Sequence, residues 1–484
     1  MNKILQKIIA PLCAASLCGC MVGPDFESPD AKFIPEKYSS PADGTSLTSA
    51  KAQALPDEKL AKWWEIFNDP LLESLVERAF AGNLDLAAAK ERIDQSRSSL
   101  GISQSGFFPS LDANAAFKEG GKIGRASPTY SMGAAAAWEL DVFGGTRRGI
   151  EAAVGEYEAS IADKCAVKIS VAAEVAQAYF LYRCYERELI ITKGNLETQK
   201  KTYEVTKRRR LNGFESDIDV VRAMSQVEST SAQIPQLESK MILARHSLEI
   251  LLGLPTGSLE KDLSAPRDLP KLEEFIPAGV PAELIRRRPD IVRAEYKLRA
   301  ATAKIGEAQA DWYPKFSVTG RIGYEAPDIG KIVQNQYGTW SVGPSVSWNV
   351  FQAGKTYFNA ELRKAVAREA NVSWEKTALT AVKEVEDALV SAAKERARIA
   401  HINRVVESNR KAFELSSKLY AEGEIEFLDL LEAQRSMLSA EQNQIASRQL
   451  FISHIISLYK ALGGGWSPSD TSGDKDWLFF LKDE

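Results

Sequence analysis

The chain has 484 residues, of which 26% are charged and 44% are hydrophobic, and its formal net charge is −4. This balance excludes a bundle of membrane-spanning helices and wholesale disorder, and it leaves no basic excess for binding nucleic acid through its phosphates. The three histidines, His246, His401 and His454, are far apart in the sequence, which argues against a histidine-based metal or catalytic site.

Residues 1–19 have the features of a bacterial lipoprotein signal peptide. A short basic start precedes an apolar run of about ten residues, which is too short to span a bilayer. The run ends at Leu17-Cys18-Gly19-Cys20, which resembles a lipobox, so we expect Cys20 to carry the lipid anchor. The alternative is an ordinary signal peptide with a chance cysteine. Met21, rather than Asp, follows Cys20, which by the sorting pattern of such lipoproteins indicates the outer membrane.

Two further cysteines, Cys165 and Cys184, remain in the expected mature protein. They lie 19 residues apart on one predicted helix, which is about 28 Å and far beyond the reach of a disulfide. We therefore interpret both as small buried hydrophobic residues.

The chain contains an internal repeat. Residues 85–109 match residues 290–314 at a constant shift of 205, and residues 203–253 match residues 413–463 at a shift of 210. Each copy reads helix, strand, strand, long helix, helix, so the sequence predicts two copies of one structural unit. The expected boundaries are a lipidated N-terminal segment at 20–70, a first repeat at 71–255, a linker at 256–280, a second repeat at 281–465 and a tail at 466–484.

Four segments alternate apolar and polar side chains over about ten residues, which is typical of membrane-spanning β-strands. They are expected at about residues 110–118, 129–142, 315–325 and 338–350. Four strands cannot close a barrel, and an open sheet edge is not tolerated in lipid. Either the sheet belongs to a soluble protein and buries one apolar face, or several chains contribute their strands to one barrel. The predicted lipoprotein signal for the outer membrane favours a barrel shared by several chains.

Long helices follow each pair of strands. Residues 355–422 contain no Gly or Pro over 68 positions, which predicts a helix of about 100 Å. The counterpart in the first repeat, about 147–212, has a similar length. In the last helix an apolar residue recurs at every seventh position from Leu431 to Tyr459, which predicts a coiled-coil seam.

Several short motifs, taken in order, resemble the outer-membrane efflux factors of the TolC type, specifically the OprM/NodT-like lipoprotein branch. The resemblance covers nearly the whole mature chain and is specific because the motifs occur together with the duplication. They are Cys20–Phe26, Trp63-Trp64, Phe67, Asp69-Pro70-Leu71, Asn83–Leu86, Ile234-Pro235, Leu237-Glu238, Leu251–Gly253, Arg287–Ile291, Ala294-Glu295 and Ala461–Trp466.

The resemblance implies a mainly α fold with a β-barrel portion. A long coiled-coil α-barrel and four membrane β-strands per chain, internally duplicated, would close a 12-stranded barrel as a homotrimer in the outer membrane. The trimer would extend into the periplasm and dock onto a membrane-fusion adaptor and an inner-membrane pump, for which the RND type is favoured. It would conduct drugs or other small molecules outward passively, without enzymatic activity, and with no cofactor except the covalent lipid on Cys20.

The resemblance also places a periplasmic gate at the turn into the last helix. The apolar ring of the family falls on Leu428, and its acidic and basic partners fall on Glu432 and Arg435, which share one helix face. A ring of such groups on a three-fold axis would restrict passage. The alternative is a solvated helix face with a weak Glu–Arg pair.

The turns before the last helix of each repeat have a structural explanation. Gly213 and Gly423 are expected to end the preceding long helices. Ser216 followed by Asp219 has capping-box spacing, and Glu426 precedes Asp429 in the same register.

Motifs for other chemistry are missing from the sequence. Gly354-Lys355-Thr356 lacks the upstream glycine of a P-loop, and no Cys-x-x-Cys, His-Glu-x-x-His or EF-hand pattern occurs. We therefore expect no metal site.

Two alternatives to an efflux duct remain, namely a duct for type I protein secretion and a lipid-anchored coiled-coil scaffold in the periplasm.

Overall fold

The computed structural model describes residues 21–35, 57–122, 125–270, 287–467 and 470, and the predicted lipidation site Cys20 lies outside the described residues. The chain forms two units. Among the described residues, the sheet unit comprises 21–31, 91–122, 125–162 and 290–377, and the helical unit comprises 32–35, 57–90, 163–270, 287–289, 378–467 and 470.

Eight helices and four strands make up the regular structure of the described chain, besides short 3-10 turns. The helices are α1 (Asp57–Ala61), α2 (Pro70–Gly82), α3 (Leu84–Ser105), α4 (Gly145–Leu211), α5 (Asp217–Leu251), α6 (Pro289–Ala310), α7 (Lys355–Glu422) and α8 (Phe427–Ala461). The strands are β1 (Ser110–Lys122), β2 (Arg125–Leu140), β3 (Lys315–Ala326) and β4 (Gly338–Ser347). The predicted mainly helical fold with four strands is therefore confirmed.

The four strands form one antiparallel sheet in the order β1-β2-β3-β4. The first hairpin extends beyond the predicted strand ends, because the backbone ladder continues through Gly120 and Gly121 to the pair Lys122 and Arg125. Strand β4 ends at Ser347, opposite Lys315, three residues earlier than predicted. The alternation of apolar and polar residues predicted which side chains share a face of the sheet. It did not predict where the backbone hydrogen bonds between the strands begin and end.

Alternation along the strands gives the sheet one apolar and one polar face, because residues directly opposite in the ladder point to the same side. The apolar face consists of Leu111, Ala113, Ala115, Phe117, Tyr130, Met132, Ala134, Ala136, Trp138, Leu140, Phe316, Val318, Ile322, Tyr324, Trp340, Val342 and Val346. Trp340 is 78% exposed and Val342 is 68% exposed. None of these side chains is fully buried in the described chain, whereas an ordinary sheet buries its apolar face.

The core of the helical unit is built around aromatic residues that precede α2. Trp63 is buried and stacks on Tyr459 with ring centroids 5.5 Å apart, and Phe67 contacts Phe180 at 4.6 Å. Asp69 then starts α2 as its N-cap by accepting a hydrogen bond from the Leu71 N–H. In the described part of the chain, no helix combines the length and the apolar character needed to cross a membrane.

Candidate functional site: the paired helical turns and the sheet face

Two equivalent turns join α4 to α5 and α7 to α8. Gly213 and Gly423 adopt φ angles of 80° and 85°, which favour glycine. The next N–H of each turn closes the preceding helix, from Phe214 to the Arg209 carbonyl and from Glu424 to the Leu419 carbonyl, both at 2.9 Å. The prediction that these glycines end the long helices is confirmed.

The two helices after the turns start differently. The Ser216 hydroxyl accepts a hydrogen bond from the Asp219 N–H at 3.3 Å, so it caps α5 as predicted. Glu426 occupies the same position before α8, but its side chain makes no capping bond. The expected second capping pair is therefore wrong, because the longer Glu side chain is a poor substitute for Ser or Asp at this position.

Tyr420 connects the two turns within the helical unit. Its carbonyl accepts a hydrogen bond from Arg209 Nη1 at 2.8 Å, its hydroxyl lies 2.9 Å from the Thr206 hydroxyl, and the Arg209 guanidinium lies over its ring at 4.8 Å. Burial raises the pKa of Tyr420 to about 12, so the hydroxyl stays protonated at physiological pH. We call Thr206, Arg209 and Tyr420 the turn contact.

The predicted gate residues lie on the first turns of α8, and all three are exposed. Leu428 is 49% exposed and Glu432 makes no ion pair with any described residue. Arg435 instead donates from Nε to the Gln226 side-chain oxygen on α5 at 2.7 Å. The weak Glu–Arg pair of the alternative interpretation is therefore wrong, because Arg435 points toward α5. The gate itself stays a prediction.

Sequence reasoning missed the turn contact. The only sign of this contact in the sequence is the run of basic residues at 207–210. Such a run does not show which residue Arg209 contacts. Tyr420 lies 211 positions from Arg209, and the repeat gives no guide because Arg210 occupies the matching place in the first copy.

The segment that follows Cys20 is held beside the end of the sheet. The Val22 N–H donates to the Phe143 carbonyl at 3.1 Å, three residues after β2 ends. The buried Arg148 donates to the carbonyls of Val22 and Gly23 at 3.1 and 3.2 Å and to the Asp25 carboxylate at 2.7 Å. A charged, buried guanidinium with this many acceptors fixes the segment in place.

Cys165 and Cys184 are both free and buried, as predicted. Burial raises the pKa of the Cys165 thiol to about 11 and that of the Cys184 thiol to about 12. Both side chains therefore act as apolar packing groups and not as reactive thiols.

A solved structure of the outer-membrane channel OprN is similar to the whole fold. It aligns with a TM-score of 0.84 and 35% identity, and the alignment covers 93% of this chain and all of the channel. The combination of long paired helices with a four-stranded sheet is thus that of an outer-membrane channel protomer.

The chain belongs to the outer membrane efflux protein family, whose pattern matches residues 75–254 and 280–464. It is 31% identical to nodulation protein T of Rhizobium leguminosarum bv. trifolii, over 96% of this chain and 99% of that protein. It is also 31% identical to the probable efflux pump outer membrane protein TtgC of Pseudomonas putida, over 93% of each chain. The protein family predicted from the motifs, the outer-membrane location and the assignment to efflux channels are confirmed. The predicted domain boundaries stay a prediction.

Proposed function

We propose that the protein is the passive exit duct of a tripartite efflux system and works as a homotrimer. The observation that carries this proposal is the uncovered apolar face of a sheet whose two edge strands, β1 and β4, have no further partner in the described chain. Unpaired backbone groups in lipid cost several kcal/mol each, about what a buried unsatisfied group costs. Copies must therefore pool strands, and three copies supply twelve strands.

The position of the N-terminal segment supports lipid anchoring at Cys20. Met21, which follows the proposed lipidation site, packs on Gly144 just beyond the end of β2. Lipid and sheet then contribute to membrane attachment from one place.

Replacing the first 19 residues with a cleavable, non-lipoprotein signal and Cys20 with Ser tests whether the sheet alone holds the protein in the membrane. We expect the variant to stay in the membrane fraction after carbonate extraction, because a closed barrel is retained by its apolar face. Release of the variant into the soluble fraction would support the lipid-anchored scaffold instead. The unaltered protein, extracted in parallel, is the control.

Leu428 and Glu432 are proposed to narrow the periplasmic mouth. Both side chains are exposed on the first turns of α8, so three copies can bring them together around an axis. Arg435, held by Gln226, fixes the orientation of these turns. The turn contact holds the end of α7 against the end of α4, so the two turns lie side by side.

Leu428→Ala combined with Glu432→Ala is expected to raise single-channel conductance in planar bilayers, because two bulky groups per copy leave the constriction. The matched control is Ile218→Ala with Arg222→Ala, the same two positions in the first repeat, which should change conductance much less. Unchanged conductance in the first variant would remove Leu428 and Glu432 from the mouth.

A periplasmic adaptor and an inner-membrane pump, with the RND type favoured, are the proposed partners. The relatives named for efflux pumps support this assignment over type I protein secretion. Neighbouring genes for a proton-driven pump, as opposed to an ABC exporter, would support it further.

A further inference from the structure

A cavity of about 780 Å³ lies between three helices of the helical unit. Its lining residues come from the middle of α4, from the last turns of α5 and from the second half of α8. Pockets that take drug-sized ligands measure roughly 300–1,000 Å³, so the volume is sufficient for such a molecule. We call this space the three-helix cavity.

The cavity lies on one face of α4. Its lining residues there recur at three- and four-residue steps, which place side chains on the same side of a helix, and they include Glu174, Gln177, Ala178 and Leu181. The opposite side of α4 carries Tyr179, which donates to Asp69, and Arg183, which donates to the Ala265 carbonyl at 3.0 Å. The cavity therefore faces away from the polar network around Arg183.

Most of the cavity wall is apolar. Ile452 and Ile456 of α8 are 2% and 0% exposed, so they form a buried part of the wall. Leu243 and Ile250 of α5 also line the cavity, but they are 61% and 68% exposed in the described chain. Exposed apolar side chains beside a concave apolar surface are typical of a site that buries part of a ligand.

A few polar side chains also line the cavity. Gln177, Gln449 and Ser453 make no side-chain hydrogen bond with any described residue, so their donors and acceptors remain available. The Ser247 hydroxyl, by contrast, donates to the Leu243 carbonyl of its own helix at 3.1 Å. A small number of available polar groups within an apolar wall can orient a bound ligand.

The charge of the cavity indicates the charge of the ligand. Glu174 is exposed and has no ion-pair partner among the described residues. No Lys or Arg belongs to the described lining, and Lys168, earlier on α4, is paired with Asp470 at 2.8 Å. A carboxylate beside apolar walls and without a cation of its own favours a ligand that carries a positive charge.

We propose that the three-helix cavity binds an amphipathic organic cation. The apolar rings of the cation pack against Leu181, Ile452 and Ile456, and its positive charge lies beside Glu174. An anion of the same size and shape is repelled by the carboxylate, so the cavity distinguishes charge and not only hydrophobicity. This inference rests on the proposed function, because it names a class of solute that the duct would retain during passage.

Tetraphenylphosphonium and tetraphenylborate, which have nearly the same shape and opposite charges, test the proposal. The full-length protein in lipid nanodiscs is titrated with each ion by calorimetry, and empty nanodiscs supply the baseline. We expect saturable binding of tetraphenylphosphonium and much weaker binding of tetraphenylborate. Glu174→Gln is expected to weaken tetraphenylphosphonium binding roughly five-fold, the order of one partly exposed charge pair.

The matched control is Glu197→Gln, which removes the same charge from α4 outside the cavity. Glu197 is exposed and lies 3.1 Å from the Lys200 ammonium, and we expect its replacement to leave the binding of both ions unchanged. Equal affinities of the wild-type protein for the two ions, or equal effects of the two substitutions, would overturn the proposal.

Labelling of a single cysteine tests whether the cavity is open in the assembled protein. Ser453→Cys is expected to react with a water-soluble maleimide, and saturating tetraphenylphosphonium should slow this reaction several-fold. Ser439→Cys, on an exposed part of α8 outside the cavity, should react at the same rate with and without the ion. Cys165 and Cys184 stay in place because both are buried.

The outcomes separate this inference from the proposed function. A Ser453→Cys variant that does not react would show that a second copy or another segment of the chain covers the cavity, which would overturn the binding site. A protein that conducts normally in planar bilayers without binding tetraphenylphosphonium would overturn the binding site alone. A wild-type protein that binds the ion but does not conduct would overturn the duct and not the binding site.

Discussion

Arg183→Met is expected to lower the free energy of unfolding by about 3–5 kcal/mol, the typical cost of removing one partner from a buried ion pair. Arg183 is 1% exposed and donates to the Glu186 carboxylate at 2.8 Å and to the Ala265 carbonyl at 3.0 Å. Methionine keeps the apolar stem but leaves the buried Glu186 carboxylate without its cation.

The network around Arg183 makes the expected loss large. Its Nε donates to the Tyr179 hydroxyl at 3.3 Å, and that hydroxyl donates to Asp69, the N-cap of α2, at 2.5 Å. Burial, with the hydrogen bond to Asp69, raises the pKa of Tyr179 well above its usual range, so the hydroxyl remains a donor at all physiological pH values. Loss of the guanidinium thus loosens the contact between α4 and the start of α2.

Thermal unfolding in detergent, followed by circular dichroism, measures the effect. The matched control is Arg187→Met, one helical turn further on, where the side chain is half-exposed and lies 3.4 Å from the exposed Asp268 carboxylate. An exposed pair contributes no more than about 1 kcal/mol. Equal unfolding midpoints for the two variants would show that the Arg183 network does not hold the helical unit.

Sequence could not reveal this network because its members are distant in the chain. Asp69 also binds Arg267, which lies 198 positions away, and the link between Arg435 and Gln226 spans 209 positions. Motif resemblance marked Asp69 as notable but did not name its partners. Side-chain contacts of this kind depend on how helices pack, which a local pattern does not encode.

Features with a local physical cause were predicted well. Strand alternation has a period of two residues, and a glycine with positive φ ends a helix by a rule that involves only its neighbours. Both were confirmed for the four strands and for Gly213 and Gly423. The prediction failed where two equivalent positions carry different side chains, as at Ser216 and Glu426, since the duplication preserves the backbone turn and not the cap.

Gly253→Ala is expected to destabilise the protein far more than Gly463→Ala, although the two glycines are equivalent in the repeats. Both adopt the left-handed conformation, with φ of 69° and 74°, so both variants share a backbone cost of about 1–2 kcal/mol. Only at Gly253 would the new methyl group lie closer to another backbone than van der Waals contact allows.

The difference comes from a close approach between the ends of α2 and α5. A Cβ at Gly253 would lie 2.1 Å from the Gly82 carbonyl oxygen, and a Cβ at Gly82 would lie 2.6 Å from the Leu252 carbonyl oxygen. The Asn83 side chain ties the same two ends by donating to the Leu251 carbonyl at 2.8 Å. The two backbones therefore cannot separate without breaking this bond.

Gly463 has more room, since the nearest atoms to an added Cβ are 3.5 Å away, which is ordinary van der Waals contact. Overpacking at a rigid site costs about 1–3 kcal/mol, and occasionally more, so the Gly253 variant should lose that amount beyond the shared backbone cost. Unfolding midpoints of the two single variants, measured side by side in detergent, give the comparison directly. If both variants lose the same stability, the contact between Gly82 and Gly253 is not a constraint on the fold, and the positive φ angle alone explains the glycine at each position.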